Sequence, residues 1–151
     1  MLYISKKHDS KPREDLERIV AKDHVLESTF AEIVVPAKKN IILGCIYRHP
    51  SMEVKDFNEG YLSPLLEKLP TSKHNFLLGD FNIDLMKTDE DENTANYFDT
   101  LASLSFIPHI IHPTRITPHS KTLIDNIFSN VPNFSLSLSP YRPEVLSVLA
   151  D

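Results

Sequence analysis

The sequence predicts an α/β fold, because runs with strand character alternate along the chain with segments of helical period, and prolines punctuate the joins. Its 151 residues match the size of one domain, and 41% hydrophobic with 25% charged residues is a globular composition, not that of a disordered, collagen-like or membrane chain. Lys and Arg number 16 against 21 Asp and Glu, and the resulting net charge of −5 argues against a broad electropositive face of the kind that grips nucleic acid.

Taken in order, residues 2–5 form a short β-like run, and residues 13–22 place Leu16, Ile19 and Val20 at helical spacing. Residues 28–35 alternate as a strand closed by Pro36. Residues 40–47 are apolar almost throughout, as expected of a strand buried on both faces, and the two should pair through the Ala37-Lys38-Lys39-Asn40 turn. Phe57, Tyr61, Leu65, Leu66 and Leu69 give residues 54–69 an amphipathic helix that Pro70 ends. Residues 75–79 make a short apolar strand. The acidic run Asp89-Glu90-Asp91-Glu92 reads as solvated loop, and Thr94 as the cap of a second helix with Tyr97, Phe98, Leu101 and Leu104 on one face, ending near Ser105. Strands resume at 106–111 and 123–128, separated by loops carrying Pro113 and Pro118.

Eleven Pro against three Gly imply stiff connections. The one cysteine, Cys45, lies inside an apolar run and reads as a buried reduced thiol, with no disulfide framework possible. No segment approaches the ~18–20 apolar residues needed to span a bilayer, and the first residues lack a long apolar stretch of signal type, so an intracellular, soluble chain with no membrane partner is expected.

The most informative stretch is Phe76-Leu77-Leu78-Gly79-Asp80-Phe81-Asn82, a buried strand that delivers a carboxylate and an amide at its carboxyl end. Alternation sends Asp80 and Asn82 to the same side, with Phe81 turned into the core. A carboxylate can orient or deprotonate a water while an amide donates to a phosphate oxygen, the division of labour that phosphodiester hydrolysis needs. On spacing alone, the commoner role of such a pair is to satisfy its own backbone in a strand-end turn. Tyr47 ends a strand in Ile46-Tyr47-Arg48-His49-Pro50, and Asp125 is an acid inside the apolar Thr122-Leu123-Ile124-Asp125-Asn126-Ile127-Phe128.

In this order, and with Pro113-Thr114-Arg115-Ile116-Thr117 between them, these stretches resemble the endonuclease/exonuclease/phosphatase family, and more narrowly the endonuclease domain that precedes reverse transcriptase in jockey-like non-LTR retrotransposons. The resemblance covers residues 2–130, taken as a partial domain, with 131–151 as a divergent segment. It implies a partial four-layer α/β/β/α sandwich and a DNA-cleaving hydrolase that uses Mg²⁺ or Mn²⁺. Asp80 then matches the water-orienting aspartate, Asn82 the asparagine at the scissile phosphate near the metal, and Tyr47 the phosphate-binding tyrosine. Thr114 falls near a position that contacts the DNA backbone, and Asp125 matches the acid that orients a catalytic histidine. Asp80 and Asn82 are the implied metal ligands.

The departures matter as much. The family's metal-binding glutamate motif would fall before Met1, and its Ser-Asp-His signature is absent, with Ser139-Pro140-Tyr141-Arg142-Pro143 imitating only its frame. His49, His109, His112 and His119 are not expected to replace that histidine. The expectation is a catalytically impaired endonuclease fragment, nuclear if active, with DNA affinity weakened by the net charge. The alternative is a non-catalytic remnant or domesticated protein-interaction module. Missing strands would leave a sheet face or edge exposed and favour self-association.

Overall fold

The computed structural model describes residues 2–22 and 24–132, together with a two-stranded ladder of β9 (Ser137–Leu138) and β10 (Leu146–Ser147). Ser139-Pro140-Tyr141-Arg142-Pro143 lies outside the described residues, as does most of the segment 131–151.

Alternating apolar residues build β2 (Leu26–Ile33) and β3 (Ile41–Arg48), which pair antiparallel over all eight positions. At their centre Gly44 faces Phe30, whose ring occupies the space that a Cβ on Gly44 would need. The strand expected at 28–35 starts and ends two residues early. Beyond Ile33 the backbone leaves the ladder, since Val34 N–H donates to Asp9 O and Val35 N–H to the Asn40 side chain. β1 (Ser10–Pro12) adds antiparallel to β2, and the helix expected at 13–22 is the single turn α1 (Glu14–Glu17), which buries Leu16. Residues 2–5, expected as a strand, are irregular, and Leu2 packs on a face of the sheet instead of pairing along it.

From β3 the chain crosses over through α2 (Val54–Phe57), a π-turn at Asn58–Leu62 and α3 (Ser63–Lys68) to β4 (His74–Asp80), which lies parallel to β3. That crossover is the connection a parallel pair requires. A 3₁₀ turn at Leu85–Lys87 leads to α4 (Glu92–Ser103). Its cap is Asp91, whose carboxylate accepts the Thr94 N–H at 2.7 Å, so Thr94 lies inside the helix and the acidic run is part loop, part cap. Leu104 falls just past the helix and is exposed.

The short β5 (Ile107–Pro108), the hairpin β6 (Arg115–Ile116) and β7 (Lys121–Thr122), and β8 (Asp125–Ser129) complete the described chain. The main sheet has the order β1-β2-β3-β4-β8-β5. The helices cover one face, burying Leu16, Phe30, Ile42, Leu65, Leu77 and Phe128 around the rings of Phe57, Phe81 and Tyr97. On the other face Ile41, Leu43, Phe76 and Ile127 are buried beneath Leu2, Ile110 and Val131. Of the four layers the resemblance implies, the described residues build one sheet and the helical layer beside it.

The edges of that sheet are short. β1 has three residues including Pro12, and β5 has two including Pro108. Brief, proline-bearing edges are poor templates for a further strand.

Candidate functional site

Register brings the predicted residues together. Glu27 on β2 lies opposite Tyr47 on β3, Tyr47 opposite Asp80 on β4, and Asp80 opposite Asp125 on β8. Because strand side chains alternate, residues in register share a face, and these four form a row across the sheet on the side away from the helices. The row crosses the carboxyl ends of the parallel pair β3 and β4, where open α/β sheets place their ligands. Tyr47 is 40% exposed, so its phenol can reach a ligand. Beside it a depression of about 440 Å³ is lined by Leu2, Glu27, Thr29, Cys45 and Tyr47.

Asp80 is set by the close approach beneath it. A Cβ on Gly79 would overlap the Ile46 carbonyl oxygen, so only glycine lets β4 pass β3 there. Burial raises the Asp80 carboxyl above the ordinary carboxylate range. The Asn82 N–H, donated to Asp80 Oδ1 at 3.0 Å, pulls it back, and the charge of Asp125 pushes it up again.

Phe81 does turn into the core, 5.4 Å between ring centroids from Phe128. Asn82 takes the left-handed conformation at φ +50°, which Asn tolerates better than most residues. Its Nδ2 donates to Arg48 O at 2.7 Å. One amide proton is thus committed to the backbone, and the other proton and Oδ1 are the atoms it can offer a ligand. The Asp80 and Asn82 side chains thus tie the strand-end turn to backbone, at the carboxyl end of β4.

Thr114, exposed at the start of the β6–β7 hairpin, accepts the Asp125 N–H on Oγ1 at 3.2 Å. The hairpin is thereby hinged to the row, and its Arg115 is near enough for its charge to lower the Asp80 carboxyl. Asp84 is a second strap: its Oδ1 accepts from Met86 N–H and from Leu123 N–H at 2.9 Å, aligning the segment that enters β8.

The histidines are placed elsewhere. His49 Nδ1 lies 2.7 Å from Ser51 Oγ in an exposed loop, and His109 Nε2 lies 2.7 Å from Ser129 Oγ, at the opposite end of β8 from Asp125. His112 and His119 are exposed. Cys45 is half-buried and its thiol pKa is raised by burial, which suits the inert reading.

Facing carboxylates are hard oxygen donors of the type that Mg²⁺ and Mn²⁺ prefer. Among the described residues, however, no three His, Cys, Asp or Glu side chains come together in a way that could hold an ion. The residues present do not fit a complete metal site.

Arg48, Glu27 and Arg115 were not among the residues singled out from sequence. Arg48 had a signal: it falls in phase with Ile42, Gly44 and Ile46 on the helix-covered face, so its charge had to be buried. Glu27 and Arg115 become visible only through strand register and hairpin placement.

No family model and no curated protein matches the chain. Among solved structures, it is similar to the endonuclease domain of TRAS1, a telomere-specific non-LTR retrotransposon, at 15% identity and a TM-score of 0.62, over 87% of this chain and 63% of that one. An endonuclease/exonuclease/phosphatase protein from Beutenbergia cavernae aligns at 14% identity and TM-score 0.56, over 87% of this chain and 38% of its own. Another from Leptotrichia buccalis aligns at 17% and 0.50, over 72% and 42%. The chain has the fold of the endonuclease/exonuclease/phosphatase proteins, and it spans less than two thirds of the length of each of these structures. Among the described residues no helix is long and apolar enough to cross a membrane.

Proposed function

We propose that this chain is the impaired remainder of a phosphodiester-cleaving endonuclease of retrotransposon origin, one that keeps a phosphate-facing half of the site. The observation that carries the reading is the single row of Tyr47, Asp80 and Asp125 on one sheet face, with Thr114 bonded to Asp125. In this reading the Tyr47 hydroxyl and the remaining Asn82 amide proton donate to phosphate oxygens, and the Asp80 carboxylate orients the attacking water. Mg²⁺ or Mn²⁺ would supply charge stabilisation, but the shortage of acidic donors means that further ligands must come from outside the described residues. DNA is the substrate class, and an active form would work in the nucleus.

A second reading, a non-catalytic interaction module, is favoured by one specific feature: both side chains bond backbone, Asp80 accepting the Asn82 N–H and Asn82 donating to the Arg48 carbonyl at the end of β3. A plasmid-nicking assay with Mg²⁺ or Mn²⁺ decides between them. Slow metal-dependent nicking that disappears in Asp80→Ala is the expected result. Wild-type protein that nicks no faster than Asp80→Ala would establish the second reading, and nicking at rates normal for an intact nuclease would sink the idea of impairment.

A further inference from the structure

Arg48 ends β3 one residue after Tyr47 and is 2% exposed, among the largest fully buried side chains of the protein. A guanidinium cannot shed its charge, so burying it is costly unless every donor is met. Here the partners are backbone carbonyls. Nε donates to Phe81 O at 2.6 Å, Nη2 to Asn82 O at 2.7 Å, and Nη1 to Met52 O, with a longer contact to His49 O at 3.5 Å. The contact is reciprocal, because Asn82 Nδ2 donates back to Arg48 O at 2.7 Å. Every strong bond of the fork therefore ends on one of two segments: the turn that follows Asp80, and the loop that follows Tyr47.

An aliphatic side chain, such as those of Ile42 and Ile46 on the same face, would fill this position with less desolvation. What it could not do is hold a left-handed residue. Asn82 at φ +50° sits in a sparsely populated conformation that persists where its surroundings over-determine it, and Arg48 bonds the carbonyls of the two peptides that flank the Asn82 Cα. Lysine has one point of charge in place of a planar fork and cannot span Phe81 O, Asn82 O and Met52 O together.

We propose that Arg48 is a positioning residue of the candidate site: from behind the sheet its buried guanidinium fixes the turn that presents Asp80 and Asn82, and locks that turn to the strand end that presents Tyr47. This rests on the reading of the row as a phosphodiester site, but its test does not depend on activity. The first measurement uses the wild-type chain and ¹⁵N-resolved NMR. A locked fork gives separate, slowly exchanging Nη resonances for Arg48, and an Asn82 side-chain amide protected from solvent exchange. A single averaged Nη signal overturns the proposal. The second uses Arg48→Lys and Arg48→Met, compared at temperatures where each is fully folded. Loss of protection at the Asn82 amide and new mobility at residues 80–82, in both variants and with β2 unchanged, supports positioning, because Lys keeps the charge and loses the fork. Variants that lower the melting temperature but leave residues 80–82 as in wild type reduce Arg48 to a packing role and overturn it. In the nicking assay, both variants are expected to be at least tenfold slower than wild type. A wild-type chain that never nicks removes the functional reading alone, since the resonances still decide whether Arg48 holds the turn.

Discussion

Asp80 is held in the protein at a cost that its role would justify. Its carboxyl is raised by burial and by Asp125, so the folded-state pKa lies above the unfolded one. The sign follows: its favourable contribution to stability is present below the unfolded carboxylate range and is lost as pH rises through the higher folded value. At pH 7 an ionised Asp80 therefore works against folding. Asp80→Asn keeps an oxygen to accept the Asn82 N–H and removes the charge facing Asp125. It should stabilise the protein at pH 7 by up to about 1 kcal/mol, the scale of relieving like charges on adjacent strands, with no gain near pH 3 in denaturant melts. The placement of this residue was legible in sequence because Gly-Asp-Phe-Asn at the end of an apolar run names both the residue types and the sheet end. Arg48 was less so: its importance depends on carbonyls 33 and 34 residues away, which no local pattern encodes.

Between elements, a second polar tie is Glu32 on β2, 1% exposed and bonded by Lys73 from the α3–β4 connection, by Arg13 near β1 and by Asn40 just before β3. Burial alone would raise this carboxyl. The hydrogen bonds from Lys73 and Asn40 and the charges of Lys73 and Lys11 outweigh it, and hold the pKa at about 2 against an ordinary 4.5. A depressed carboxylate contributes stability above the unfolded pKa and loses it as pH falls, here between about 4.5 and 2, an amount on the order of 3 kcal/mol. Glu32→Gln should lower stability at pH 7 and flatten the acid limb of the stability curve across that window; an unchanged acid limb would assign the loss to other carboxylates. The elements themselves were readable where periodicity was long, as in β2, β3 and the crossover helix. They were misjudged where a single hydrogen bond decides the boundary. Asp91, not Thr94, caps α4, and Asp91→Ala should lower the midpoint of thermal and denaturant melts. Residues 123 and 124 continue the apolar pattern of β8 yet lie outside its ladder, because Leu123 N–H donates to Asp84 and Ile124 O accepts from Phe81 N–H.

For the whole molecule, the decisive quantity is charge. Duplex affinity comes largely from neutralised phosphates and released counterions, and a chain carrying −5 has little to offer at long range. What it has beside the row is local: the 112–122 segment, which includes the β6–β7 hairpin, carries Arg115 and Lys121 with no acidic residue. Two such cations can make about two phosphate contacts, each worth a salt slope of roughly −0.9. Fluorescence anisotropy with a short duplex should accordingly give weak binding at physiological salt, at or beyond the ~10⁻⁴ M edge of non-specific affinities, and a slope of about −2. Arg115→Ala with Lys121→Ala should take that slope toward zero while leaving the melting temperature unchanged, since both side chains are exposed. Tight binding with a slope of −5 or steeper would mean that residues outside this hairpin meet the phosphates, and that net charge is a poor guide to where this fold meets DNA.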